Sequence, residues 1–134
     1  MDEGIEWAFA AEGGEAVIAR MATCGHCLRF PEGVVFFNVN KPAKQAGMHL
    51  LLDPAYRGSG AGIRLAREGI KEAWRIGMQK ISMPILDGNP FYKSPEKAMA
   101  HIGAVLEGVL KRHYWFKGKI RDIMYFAIYK EGSV

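Results

Sequence analysis

The residues with the most chemically specific spacing run Leu50-Leu51-Leu52-Asp53-Pro54-Ala55-Tyr56-Arg57-Gly58-Ser59-Gly60-Ala61-Gly62. An apolar strand leads into a glycine-rich turn, and the turn opens an amphipathic helix. Glycines at alternate positions leave the backbone of Gly58 to Gly62 uncovered. Backbone N–H groups and the positive end of the helix dipole then meet an anion directly. Arg57 adds a cation at the same place. The chemistry this suits is the holding of a phosphorylated ligand. Just upstream, His49 and Asp53 stand at alternate strand positions and so share a face, where either can relay a proton.

A second constellation, Cys24-Gly25-His26-Cys27, has the spacing of a redox dithiol. Such a pair works at the start of a helix, whose dipole lowers the thiol pKa. Here Pro31 follows closely and stops any helix, no tryptophan stands immediately before the pair, and no thioredoxin-like pattern surrounds it. The reading is two reduced thiols in a loop or strand end. His26, His49, His101 and His113 lack zinc-finger spacing, so no metal site is expected.

The elements around these groups follow from periodicity. Ile5 to Ala11 and Glu15 to Met21 read as strands joined by a hairpin at Glu12-Gly13-Gly14. Val34 to Val39 is a β-branched and aromatic strand, and Met48 to Leu52 an apolar strand buried on both faces. Ile63, Ala66, Ile70, Ala73 and Trp74 form one helical stripe, closed by Gly77. Lys80 to Leu86 is a strand carrying Pro84, either a plain edge or bulge proline or one facing a missing partner. Ser94-Pro95 caps a helix ending near Gly103, and Leu110 to Phe116 pairs with Ile120 to Tyr129 as a hairpin. The strand–helix–strand over 48–86 predicts a parallel pair in an otherwise antiparallel sheet.

The 134 residues fit one domain, with 49% hydrophobic and 24% charged residues, ordinary for a globular protein. No apolar run is long enough to cross a membrane as a helix, and the acidic start lacks the basic region of a secretory signal. The expectation is a cytoplasmic protein. The net charge of +4 suits an anionic ligand. Lys and Arg read as scattered along the chain, so no nucleic-acid partner is expected.

With the turn placed on its strand and helix, the segment Leu52-x-Pro54-x-Tyr56-Arg57-Gly58-x-Gly60-x-Gly62 resembles motif A of the GNAT superfamily, the Gcn5-related N-acetyltransferases. Ala61 stands where that family usually has Ile or Val. The resemblance implies an α/β fold: a mixed, mostly antiparallel twisted sheet whose central parallel strands splay around the cofactor, shortened at the N-terminus. It implies acetyl-CoA as cofactor. Its pyrophosphate would lie on Arg57, Gly58, Ser59, Gly60, Ala61 and Gly62, its pantetheine would pair with the backbone at Leu51 and Leu52 as an added strand, and Asn89 would complete the site.

The resemblance further implies acetyl transfer to an amine by direct attack, with a small-molecule or protein acceptor. An alkyl amine has a pKa of about 10.4, so near neutrality about one in a thousand is in the reactive form and a base is useful. His49 and Asp53 are the candidates, and an unpaired N–H near Leu51 or Leu52 would stabilise the oxyanion. Aligning Gly103 with the family's Gly-Phe places Met99 where many members carry a tyrosine acid and Ala104 where the phenylalanine stands. Tyr92, Ser94 or Tyr114 would substitute, or the thiolate leaves unaided. No helical stripe precedes the hairpin strands where the family usually has two helices, so the resemblance implies an acceptor side that is reduced, open or completed by another subunit, which makes a homodimer an expectation. A module that binds CoA or a partner without catalysis is the alternative. A nicotinamide-binding Rossmann reading fits less well: Asp87 could serve as its acid, but antiparallel-type strands precede the glycine turn.

Overall fold

The computed structural model describes residues 26–90 and 92–131. The strands expected at 5–11 and 15–21, their hairpin, and Cys24 lie outside the described residues. The described chain forms β1 (His26–Phe30), β2 (Gly33–Asn40), β3 (Gln45–Leu52), a 3-10 turn (Pro54–Tyr56), α1 (Ala61–Arg75), β4 (Lys80–Leu86), α2 (Pro95–Ala100), β5 (Val105–Phe116) and β6 (Lys119–Tyr129). The strands make one sheet in the order β1-β2-β3-β4-β6-β5. All neighbours are antiparallel except β3 and β4. This is the mixed sheet with a central parallel pair that the sequence leads one to expect.

Two elements differ from that expectation. His26–Phe30 forms a strand where a loop or strand end was expected, because the turn at Pro31-Glu32 folds it back onto β2, with Phe30 opposite Gly33. Cys27 is therefore a strand residue with a free thiol, not the opening of a helix. β5 begins at Val105, five residues before the expected Leu110. Register shifts at Leu106/Gly108 and Leu110/Tyr114 break the alternation that marks a strand in sequence.

The core lies between the sheet and the two helices. Val35 and Phe37 from β2, Met48 from β3, Ile81, Met83 and Ile85 from β4 and Phe126 from β6 point to the helical side. Ala61, Leu65, Ala66, Gly69 and Ala73 are the buried residues of α1, so the apolar stripe is turned slightly toward Leu65 and Gly69. Gly69 lets the helix approach closely: a Cβ there would stand 2.7 Å from the Met48 sulfur and 2.9 Å from a Val35 methyl. At the far end of α1, the His26 Nε2 lies 2.6 Å from Glu72 Oε2, fastening β1 to the helix. Arg75 also binds Glu72, and its guanidinium is the main reason that carboxyl is held down at about 2. No helix among the described residues is long and apolar enough to cross a membrane.

Candidate active site

The site begins where a ladder stops. β3 and β4 pair only over Gln45 to Gly47 against Lys80 to Ser82. Both strands continue, β3 to Leu52 against β2 and β4 to Leu86 against β6, with no slip in either register. Beyond Gly47 and Ser82 the two strands therefore diverge.

Backbone parity shows which groups face that gap. The Asp53 N–H donates to Glu32 O at 2.8 Å, so the odd residues of β3 turn their backbone groups to β2. Lys44 O accepts from Gln79 N at 2.7 Å, so the even residues turn theirs to β4. The N–H groups of Leu50 and Leu52 thus point into the gap, whereas that of Leu51 points to β2. On β4, Lys130 N donates to Gln79 O and Asp87 N donates to Asp122 O, both at 3.0 Å, so odd residues face β6. Pro84, in register with Tyr125, therefore sets its nitrogen toward the gap. Of the two readings of Pro84, the one facing a missing partner is the geometry found: no ladder bond is forgone on either side.

A cavity of about 540 Å³ occupies the gap. Its walls come from β3 (Met48 to Leu52), β4 (Met83 to Ile85), α1 (Gly62, Ile63, Ala66) and α2 (Ala98, Met99), and its mouth carries Arg57, Gly58, Asn89 and Lys93. Mostly apolar walls with a cationic rim suit a long ligand with an anionic end.

The glycine turn forms that end. Asp53 caps the 3-10 turn, its carboxylate accepting from Ala55 N at 2.9 Å. Gly58 and Gly60 then take left-handed φ values of 79° and 84°. Nothing lies within 4 Å of the position a Cβ would take at either residue. Gly60 is the N-cap of α1 without a side-chain bond to the helix, and the first turn holds no acid. The helix start is left to an outside anion. Ser59 turns back on the loop, its N–H and hydroxyl both donating to Tyr56 O, at 3.3 and 2.5 Å. Ala61 is buried beneath the turn.

The expected residues divide clearly. Leu51, Leu52, Arg57, Gly58, Gly62 and Asn89 border the cavity, as do His49 and Tyr92. Ser59, Gly60, Ala61 and Asp53 do not border it, although Gly60 shapes its mouth. His49 is 4% exposed. Tyr92 is held by its N–H to Asn89 O at 3.2 Å, and burial pushes its phenol above the usual range, so it keeps its proton near neutrality. Ser94 is engaged as the N-cap of α2, and Tyr114 packs with Leu86 and Ile123. Met99, which the resemblance aligns with the family's tyrosine, lies in the cavity wall. Leu50 is the group that sequence reasoning missed: its place in the gap follows from strand register alone.

Sheet order, splayed parallel pair and crossover helix together define the GNAT fold. Solved structures agree. The chain is similar to a spermidine N-acetyltransferase from Vibrio cholerae in complex with CoA and spermine, with a TM-score of 0.64, 21% identity and coverage of 75% of this chain and 59% of that one. It is also similar to the ribosomal-protein-S5-alanine acetyltransferase from Vibrio fischeri, with a TM-score of 0.64, 20% identity and coverage of 76% and 56%. The chain thus spans less than two thirds of the length of these structures. No protein-family model and no curated protein matches its sequence.

Proposed function

We propose that the protein binds acetyl-CoA and transfers its acetyl group to a primary amine. The observation that carries this reading is the gap between β3 and β4, open from Gly47 and Ser82 onward and leading to a glycine-lined helix start. Acetyl-CoA supplies an activated acetyl thioester. The turn at Gly58 to Gly62 and Arg57 would hold its pyrophosphate, and the edge of β3 its pantetheine, in the manner of an added strand. The N–H groups of Leu50 and Leu52 offer donors to a carbonyl oxygen in the gap. His49 would accept the proton of the incoming amine, through water, and Tyr92 would give one to the departing sulfur.

A thermal-shift series with acetyl-CoA, CoA and NAD tests the cofactor. At about a hundredfold above its dissociation constant a ligand stabilises by about 2.7 kcal/mol, several degrees for a domain of this size. Both CoA species should raise the melting temperature and NAD should not; no shift with either CoA species overturns the assignment. Thiol release from acetyl-CoA, with an acceptor panel that includes spermidine and an alanine-terminated peptide, tests the transfer. The second reading, a CoA-binding module without catalysis, draws on Met99 in the cavity wall. It is favoured if CoA shifts the melting curve while no amine releases thiol. A cytoplasmic location and a homodimer belong to the same proposal, the latter checked by light scattering.

A further inference from the structure

Asn89 and Tyr92 border the cavity from the loop between β4 and α2. Both stand outside helix and strand, so neither is held by a ladder. Asn89 N donates to Leu86 O and Tyr92 N donates to Asn89 O, each at 3.2 Å. Single turn bonds of this kind open readily unless something else holds the turn. Asp87, inside the first turn, is gripped at both of its backbone groups. Its N–H donates to Asp122 O at 3.0 Å, and its carbonyl accepts from Arg121 Nη1 at 2.9 Å.

Arg121 is 8% exposed, and its Nε donates to Phe116 O at 2.8 Å, where the β5–β6 turn begins. Both of these acceptors are main-chain carbonyls. The planar guanidinium therefore ties the hairpin to the loop with two donors of fixed spacing. Arg121 alternates with Ile123 along β6, and Ile123 pairs with Leu86, the last residue of β4. Leu86 and Ile123 are each 1% exposed, with Tyr114 and Phe116 packed against them. Arg121 thus shares a face with an apolar cluster at the base of the loop. Gly88 shows the same fit from the other side. Its φ is 82°, and a Cβ there would stand 2.5 Å from Arg121 Nη1. The turn is bare where the guanidinium meets it.

We propose that Arg121 is a positioning residue: it clamps the turn at Asp87 and Gly88, and so holds Asn89 and Tyr92 at the cavity. Arg121 itself does not border the cavity, so it acts through the loop. The inference rests on the acetyltransferase reading of that cavity. Displacing a reacting group by about 1 Å costs about a hundredfold in rate. The glycine turn and Arg57 belong to another segment, so loosening the clamp should harm transfer more than binding. A lysine does not replace Arg121, because an ammonium is a single point of charge and lacks the two-armed grip.

The experiment reads amide hydrogen exchange in the whole protein without ligand, then CoA affinity and thiol release from acetyl-CoA. In Arg121→Lys, Asn89 and Tyr92 should exchange at least tenfold faster relative to Val35 and Phe37 in β2. Thiol release should fall about a hundredfold, and CoA affinity far less. In Arg121→Ala, added methylguanidinium should restore protection at Asn89 and Tyr92, and ethylammonium should not. Ile128→Val, at the far end of β6, should lower stability without changing the exchange ratio. Where the Arg121 variants do not fold, Gly88→Ala decides: it crowds the guanidinium and should loosen the same two amides. The proposal is overturned if Arg121→Lys or Gly88→Ala keeps the parental ratio, or if Ile128→Val raises it as much. It is also overturned if methylguanidinium restores nothing, or if CoA affinity falls as far as thiol release. Absence of CoA binding and thiol release in the parent would remove the acetyltransferase reading, while the exchange result would still decide the clamp.

Discussion

At Gly60 and Gly77 the backbone makes the same demand for different reasons. Both have left-handed φ, 84° and 93°, and at both a Cβ would meet nothing within 4 Å. Gly77 ends α1 on the exposed side, whereas Gly60 stands at its start beside the cavity mouth. Valine at either position is strained by about 1–2 kcal/mol. The two substitutions should therefore lower the melting temperature by similar amounts. Only Gly60→Val should also abolish the shift produced by CoA, because its side chain occupies the phosphate position. Equal CoA shifts in the two variants would remove the glycine turn from the site. The left-handed turn at Gly58 and Gly60 was legible in the sequence because glycine is itself the signal for such a backbone, whereas Asn89 entered only through the family resemblance. Asp53 shows the opposite case. Strand alternation put it beside His49, but β3 ends at Leu52 and Asp53 caps the next turn. A side chain one residue past a strand obeys the turn's hydrogen bonding rather than the strand's period.

Among the elements, α1 and β4 could be read from periodicity, since each buries one regular face, and β6 from its apolar run after the Lys117-Gly118-Lys119 turn. β1 and the first half of β5 could not. β1 is five residues long and begins inside the cysteine motif, and β5 is an edge strand interrupted by register shifts between Leu106 and Gly108 and between Leu110 and Tyr114. Which backbone groups face the gap was also invisible, because parity depends on register between strands distant in sequence. Pro84 and Ile85 test that parity directly. Pro84 has its nitrogen toward the gap, so Pro84→Ala should cost no more than the entropy regained by the unfolded chain, about 0.4–1 kcal/mol. The N–H of Ile85 faces β6 opposite Met124. Ile85→Pro removes that donor and leaves a carbonyl of β6 unsatisfied, about 1–3 kcal/mol before any steric term. Denaturant melts of both variants decide it: a Pro84→Ala loss as large as that of Ile85→Pro would mean that β4 has been assigned the wrong face.

Across the whole molecule the sheet is two half-sheets, β1-β2-β3 and β4-β6-β5, hinged on three residue pairs between Gln45–Gly47 and Lys80–Ser82. Helix α1 lies on β2 and β3, so it covers one half and leads the chain to the other. A ligand pairing with the edge of β3 would fill the space between the halves and join them. Amide hydrogen exchange resolves this by residue. Without ligand, Leu50 and Leu52 should exchange much faster than His49 and Leu51, whose N–H groups are held by β2. CoA should slow Leu50 and Leu52 at least tenfold and leave His49 and Leu51 nearly unchanged. Protection should also rise along β4 from Met83 to Leu86, although no new ladder forms there, because closing the gap damps the opening of both halves together. Protection confined to the amides of Gly60 to Ile63 would place only the phosphate end of the ligand on the protein and leave the gap unused. That outcome would favour the binding-module reading over transfer, since an acetyl group outside the gap meets neither the Leu50 and Leu52 donors nor His49.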